Sequence, residues 1–495
     1  MIYDYIIIGA GMGGLGAGLN LALNKKKVLM LEKNSLPGGL VTTFRRGRFE
    51  FDVSLYSLYN YGNEKHIGGL QNLFKKMGIE IKTKLALNNT RIKVIDKNED
   101  YTLNGDFEEF ILSLEAMHPG SIEPIREFIK VVKEVHDALQ AIGRKTQEIE
   151  KYPNFIKYVD VSTAKALEEL NISRDVIDKL SYLWVELGSP INKLAFVDFA
   201  EFMYKVIFKK DVALLSKNID LALSLAKEYQ NKGGKIYYNS CVCEIKDDKD
   251  IKIVVTKDGK EYRTKHVICD VSKRYVYTNL IKNTDKEINR IENARTMSPN
   301  GVVVYLGLND NYKTIGLNNY KYYQYETLNS EDNVDKMTKL YHKTWEAVVP
   351  NVINESASPK DTTILVIKTT YYGNVWNKVD SSNYLEIKDK IMEDLVSQFE
   401  EAFNIDIREY IEEVEVVTPL TISRYTNNVN GSMMGYMRLG YDNSINRLLA
   451  LEDEKISNMS FVGASSIYGS GVDNAFYSGY YITNSLLIEK RGEEE

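Results

Sequence analysis

The chain has 495 residues with 63 basic and 69 acidic side chains, a net charge of −6. That length predicts two intertwined domains, and the acidic balance, with no basic stripe interleaved with aromatics, excludes a broad nucleic-acid surface. Three cysteines (Cys241, Cys243, Cys269) are too few and too clustered for a disulfide framework, and with five scattered histidines they lack the spacing of a metal site.

The start, Met1-Ile2-Tyr3-Asp4, has no basic segment and leads into a strand, so no cleaved signal is expected. No run has the length and apolarity of a membrane span. The expected location is cytoplasmic, with peripheral membrane contact left open. Ile6-Ile7-Ile8 then runs straight into Gly9-Ala10-Gly11-Met12-Gly13-Gly14. A helix-like segment follows to about Leu23, and a second apolar run, Val28 to Leu31, ends on Glu32. Each part answers a need of a dinucleotide. Gly9 allows a tight turn off the strand, Gly11 lets backbone approach a pyrophosphate, and Gly14 lets helix pack on strand. The helix start offers unpaired N–H groups and partial positive charge to phosphates. Glu32, eighteen residues beyond Gly14, stands where a carboxylate accepts hydrogen bonds from ribose hydroxyls.

Next comes Lys33-Asn34-Ser35-Leu36-Pro37-Gly38-Gly39-Leu40. Its paired glycines suit either a plain turn or a loop passing close to something flat or phosphorylated. Residues 107–147 read as helical, interrupted by the stop-and-cap signal Pro119-Gly120-Ser121. Ile125, Phe128, Ile129, Val132, Val135, Leu139 and Ile142 then share a face. Ser162 is a cap candidate for a helix carrying Ala166, Leu167 and Leu170. The aromatic stretch from Leu180 to Phe208, with Trp184, Phe196, Phe199, Phe202, Met203 and Tyr204, reads first as core. Its alternatives are a lipophilic pocket wall or a surface that meets a membrane.

Ile219 to Tyr229 reads as a helix. Gly234 to Tyr238, Val242 to Ile245, Ile251 to Val255 and Tyr262 to Cys269 read as strands, three of them a meander around Asp258-Gly259. Val267 to Asp270 has the continuous apolar look of a strand returning to a parallel sheet. Residues 300–308 and 363–370 read as strands of a second sheet, and Tyr384 to Phe403 as a helix. Met459 to Val462 ends in Gly463, and the glycine-rich stretch to Gly479 leads into a final helix. That turn is either a structural connection or a second set of amides facing a ring edge or phosphate.

Three separated stretches together resemble the flavin-dependent amine-oxidase superfamily: Gly9 to Glu32 with Pro37-Gly38-Gly39, the Gly234–Ile245 strand pair, and Gly463 to Gly479. Thr418-Pro419, Arg424-Tyr425, Gly431 and the Tyr182–Pro190 segment look most like its phytoene desaturase, carotenoid isomerase and retinol saturase branch. The resemblance spans essentially the whole chain. It implies an α/β fold with a Rossmann-type FAD-binding domain from 1–105, 209–285 and 415–495. A substrate-binding domain of mixed sheet and helices would come from 106–208 and 286–414.

The resemblance also implies residue roles. Gly9, Ala10, Gly11, Met12, Gly13 and Gly14 would hold the pyrophosphate. Glu32, with Lys33 beside it, would meet the adenosine ribose, and Val242 the adenine through its backbone. Gly38, Gly39 and Leu40 would pass beside the flavin, and Gly463, Val472, Asn474 and Ala475 would line the flavin and its ribityl end. Three positions depart from the pattern: Leu40 where many relatives have arginine, Ser54 where many have glycine, and Ser216-Lys217-Asn218 in place of a Gly-Gly-Ser-type turn. No cysteine or histidine sits in the motifs that would flank the flavin, so the FAD is expected to be non-covalent. No metal is implied.

The expected reaction is hydride exchange between the flavin and a carbon of a long, apolar, polyunsaturated or isoprenoid substrate, giving desaturation, saturation or double-bond isomerisation. No catalytic residue is assigned, because a hydrocarbon offers no acidic proton. Arg45, Arg46, Arg424 and Tyr425 are candidates for anchoring a polar end or the flavin. The rival readings are oxidation of an amine or other polar metabolite and a non-catalytic flavin-binding protein. The oligomeric state is not legible.

Overall fold

The computed structural model of the chain describes residues 1–494 apart from 64, 66, 87–88, 104–105, 144–147, 283 and 450–455. Strand Ile2–Ile8 lies at the centre of a seven-stranded sheet, parallel to Glu261–Cys269 on one side and Val28–Leu31 on the other. Tyr5 to Ile8 are buried without alternation because both faces of this sheet are covered. Lys235–Tyr237 extends the parallel set, and Met459–Phe461 pairs in parallel with the end of Glu261–Cys269. Val242–Asp248, Ile251–Thr256 and Glu261–Cys269 make the expected antiparallel meander. The parallel strands all end at one edge, where such sheets present a ligand crevice.

Helix Met12–Leu23 leaves that edge and packs on the final helix, Val472–Glu494. Glycine makes the approach possible. A Cβ on Gly479 would lie 2.1 Å from the Gly13 carbonyl oxygen, and one on Gly16 would lie 2.6 Å from that of Phe476.

The second sheet runs Ile411–Val417, Asn300–Leu308, Thr363–Tyr371, Trp345–Val348, Lys321–Tyr325, Thr90–Val94, Glu99–Leu103. Helix Tyr384–Phe403 covers one face, burying Leu395, Phe399 and Phe403 against Tyr322 and Trp345. The division at residues 105 and 415 does not follow the strand pairing. Thr90–Val94 buries Ile92 and Val94 and pairs in parallel with Lys321–Tyr325, and Ile411–Val417 belongs wholly to the second sheet.

The helical region expected over 107–147 is two helices, Phe107–Met117 and Ile122–Gly143, parted at Pro119-Gly120-Ser121; 144–147 lie outside the described residues. On the second helix Val131 and Ala138 join Ile125, Phe128, Val132 and Val135 in the core, whereas Ile129, Leu139 and Ile142 are only partly buried. Helix Thr163–Glu169 begins after Ser162, but the Ser162 hydroxyl caps nothing; the Thr163 hydroxyl bonds the Leu194 carbonyl instead. Trp184, Phe196, Phe199 and Met203 are core, whereas Phe202, Tyr204 and Phe208 are only partly buried. Among the described residues no helix is long and apolar enough to cross one.

Candidate functional site

The strand–turn–helix at the N terminus builds one end of a cavity of about 890 Å³, near the upper end of the roughly 300–1,000 Å³ that small-molecule sites span. Gly9, Gly11, Met12 and Gly13 line it, while Ala10 and Gly14 lie just behind. The Ala10 N–H donates to Glu32 Oε2 at 2.7 Å, and Asn34 N–H donates to Glu32 Oε1 at 2.8 Å. Burial pushes the Glu32 carboxyl up from its ordinary value, and those two N–H groups pull against it. Each oxygen keeps a lone pair for a further donor.

Asp270, at the end of Glu261–Cys269, enters the same turn, carried there by the Ile8–Cys269 register. Gly14 N–H donates to its Oδ2 at 2.8 Å. Burial raises this carboxyl to about 7, with the Glu32 charge adding and the Gly14 and Gly11 amides opposing. The turn is otherwise backbone. A Cβ on Gly13 would meet Gly463 N at 2.5 Å and Asp270 Oδ1 at 2.7 Å. Such an open cradle of amides at a helix start fits a pyrophosphate.

Leu31 to Asn34 and Ser240 to Val242 form the wall beyond Glu32. Arg424 and Tyr425 sit at this end, away from the second sheet. Lys33 Nζ donates to the Arg424 carbonyl at 2.9 Å and to Asn427 Oδ1 at 2.8 Å, and Asn34 holds the Tyr425 carbonyl at 3.2 Å. These bonds pin the end of helix Pro419–Thr426 to the Lys33 loop, so Arg424 does not line the cavity and Tyr425 does. Arg45 and Arg46 stay on the outside of hairpin Thr43–Asp52, where Arg46 pairs with Glu415 at 2.7 Å. None of the arginines proposed as a polar anchor reaches the substrate-side wall.

Gly38, Gly39 and Leu40 run along the cavity's middle. Two of the departures meet there: the Ser54 hydroxyl donates to the Leu40 carbonyl at 2.9 Å, and both residues line the wall. In the third, Lys217 Nζ reaches the carbonyls of Glu50 and Ala357, so a side chain ties the turn down. From the other side come Gly463, Val472, Asn474 and Ala475. Lys205 Nζ donates to Asp473 Oδ2 and Asn474 Oδ1, both at 2.7 Å, and Arg438 Nη1 donates to Asp198 Oδ1 at 2.8 Å.

The far wall is the inner face of the second sheet. Strand alternation puts Val303, Tyr305, Lys321, Tyr323, Glu346, Val348, Val366 and Lys368 on it, and Leu139, Ile142, Phe202 and Ile445 add apolar surface. Sequence reasoning missed Asp270, Lys205 and Arg438, and it missed the charged residues of this wall. The available signal was a lone charge inside an apolar strand, Lys368 in Thr363–Tyr371.

Residues 12–484 match the family described as flavin containing amine oxidoreductase. Prolycopene isomerase 1 of an Oncidium hybrid cultivar is 23% identical over 99% of this chain and 85% of its own. All-trans-retinol 13,14-reductase of Danio rerio is 22% identical over 87% and 77%. The 4,4'-diapophytoene desaturase of Staphylococcus haemolyticus is 24% identical over 97% and 98%. Among solved structures, an engineered putrescine oxidase superposes with a TM-score of 0.67 at 13% identity, covering 99% of both chains, so it shares the fold. With the glycine turns, the parallel sheet and this match in agreement, the chain belongs to the flavin containing amine oxidoreductase family and is a flavin-dependent oxidoreductase.

Proposed function

We propose that the chain holds FAD non-covalently and acts on carbon–carbon bonds of a long, apolar, polyunsaturated or isoprenoid substrate, by desaturation, saturation or double-bond isomerisation. One observation carries the reading: one cavity runs from the amide cradle of the first sheet to the second sheet, where Val303, Val348 and Val366 join Leu139, Ile142, Phe202 and Ile445 in an apolar stretch beside a charged group. The relatives named for prolycopene, retinol and diapophytoene support the substrate class. The cofactor region is proposed as 1–89, 209–285 and 418–495 and the substrate region as 90–208 and 286–417, so that paired strands stay together.

Bound FAD would supply hydride-accepting and hydride-donating chemistry at its ring. The protein's own part is placement. The turn Gly9 to Gly14 would hold the pyrophosphate at the start of helix Met12–Leu23, where the Gly9, Ala10 and Gly14 N–H groups are taken by Leu31, Glu32 and Asp270 and shape the turn, while Gly11, Met12 and Gly13 border the cavity. Glu32 takes the ribose hydroxyls, with Lys33 at its side, and the Val242 backbone borders the adenine. Gly38, Gly39 and Leu40, with Gly463, Val472, Asn474 and Ala475 from the other side of the cavity, would hold the flavin end. Leu139, Ile142 and Phe202 keep water from an apolar chain laid across the cavity.

The test is anaerobic incubation of the FAD-loaded protein with polyunsaturated isoprenoids, reading the flavin bands and the product's mass and isomer composition. Bleaching with loss of a hydrogen pair, a gain by pre-reduced protein, or isomer conversion at unchanged mass would each support the reading. Turnover confined to small amines would replace it with the amine-oxidase alternative. Failure to retain FAD would remove both.

A further inference from the structure

We propose that the second-sheet wall of the cavity receives an oxygen-bearing end, hydroxyl or carboxylate, on an otherwise apolar substrate, with Lys321 and Tyr59 as donors and the Glu186–Glu346 pair as acceptor. The inference rests on the apolar-substrate reading above and narrows it, separating a tailed alcohol or acid from a pure hydrocarbon.

The geometry begins with strand register. Across four neighbouring strands, Tyr323 lies opposite Glu346, Glu346 opposite Lys368, and Lys368 opposite Val303. The adjacent row is Lys321, Val348, Val366 and Tyr305. All eight side chains line the cavity. One end of this wall is therefore apolar and the other polar, as an amphiphile requires. Glu186, from the turn Tyr182–Leu187, reaches over the polar end and accepts from the Tyr323 hydroxyl at 3.2 Å. Lys368 pairs with Glu346.

Ionic clusters taken out of water stabilise a fold less than apolar side chains of the same volume would, so a cluster in a cavity wall suggests a role beyond packing. Glu186 and Glu346 are hydrogen-bonded to each other, and burial beside the Glu186 charge holds Glu346 above its ordinary carboxyl range. The carboxyl oxygens of the pair are acceptors for a ligand hydroxyl.

The cluster is also unsaturated. Among the described residues no carboxylate lies within ion-pairing distance of the Lys321 ammonium, which stands 6.0 Å from the Tyr59 ring centre. The Tyr59 hydroxyl has no hydrogen-bond acceptor among them either. Its ring is fixed edge-on against Phe202, with centroids 5.3 Å apart. Asp106 and Asp211 share a small void of about 40 Å³ with Lys321 and Tyr59 behind the wall, and neither pairs with Lys321. Two donors facing a cavity without a protein acceptor, beside a carboxyl pair, are a ready site for a ligand oxygen.

The experiment uses the full FAD-loaded chain and three probes with the same C20 tetraprenyl skeleton, ending in a methyl, a hydroxymethyl or a carboxylate. Binding is read by equilibrium dialysis. The alcohol, the acid or both are expected to bind at least about tenfold tighter than the hydrocarbon. Lys321→Met and Tyr59→Phe are each expected to shrink that preference about fivefold or more while leaving hydrocarbon affinity and flavin content unchanged. Tyr59→Phe removes a single hydroxyl, so the test survives if Lys321→Met fails to fold. Preference for the acid would assign the main contact to the ammonium, and preference for the alcohol to the carboxyl pair; both support the proposal. Equal affinity for all three, or a preference that both variants retain, would overturn it and leave the function reading standing. Binding of none of the three, with small amines bound instead, would overturn both.

Discussion

Asp270 places a carboxyl among the amides and glycines that would otherwise face only a pyrophosphate. Its carboxyl titrates near 7 in the fold, against 3.8 for an ordinary aspartate. As pH rises from about 4, the unfolded chain ionises this group first while the folded chain still holds its proton. Folding stability therefore falls with rising pH until the folded group also ionises near 7. Asp270→Asn removes this dependence. The variant's stability relative to the parent is expected to grow across that window by roughly 4 kcal/mol, at about 1.36 kcal/mol per pH unit. Denaturant titrations of the cofactor-free proteins at several pH values check it, and parallel stability–pH curves would refute the assignment. FAD affinity should fall over the upper part of the same window in the parent and stay flat in the variant, because an ionised Asp270 repels phosphate. At Gly13 the argument is steric: a methyl would press on Gly463 N and Asp270 at once. Gly13→Ala is expected to weaken FAD binding by at least tenfold, read by fluorescence of released flavin, and unchanged affinity would place the pyrophosphate elsewhere.

Elements meet this site through a few buried side chains. Lys205 stands at the end of helix Phe196–Tyr204 and ties it to Asp473 and Asn474 in the first turn of the final helix. Both partners of the ion pair are nearly buried, with side chains 9% and 6% exposed. Lys205→Met would strand the Asp473 carboxylate, a loss of about 3–5 kcal/mol for a buried pair, eased by the favourable helix N-terminus. A cost near 3 kcal/mol is expected in denaturant unfolding, and adding Asp473→Asn should recover most of it. A neutral single variant would mean that water already supports Asp473. Nothing local announces this pairing, since 268 residues separate the partners. Elements with their own period or punctuation were legible: the glycine turn into helix Met12–Leu23, the meander around Asp258-Gly259, and helix Tyr384–Phe403. Residues 90–103 fall within the 1–105 expected of the FAD-binding domain because a short alternating hairpin suits either sheet, and only the parallel pairing with Lys321–Tyr325 decides. Lys321, Glu346 and Lys368 became a group through cross-strand register, and the Lys33 bond that holds the Arg424 carbonyl is equally invisible to pattern.

At the scale of the whole molecule, the two sheets are not separate bodies joined by a hinge strand. The chain crosses between them several times, hairpin Thr43–Asp52 packs Phe49 and Phe51 against Tyr305 of the second sheet, and the cavity takes its walls from both. A ligand in that cavity thus bonds to groups that separate together on unfolding. FAD at one hundred times its dissociation constant should add about 2.7 kcal/mol to the unfolding free energy. Because the contacts span both regions, one cooperative transition is expected to move to higher temperature. Proteolytic protection should rise at sites in both the first-sheet and second-sheet regions. Calorimetry with and without added FAD, followed by limited proteolysis and mapping of the cut sites, separates the cases. A transition that splits in two on adding FAD, with only the first-sheet region protected, would show that the cofactor stabilises one sheet alone. The substrate wall would then have to be organised by its own ligand, and the polar end around Lys321 and Glu346 would be ordered only when that ligand arrives.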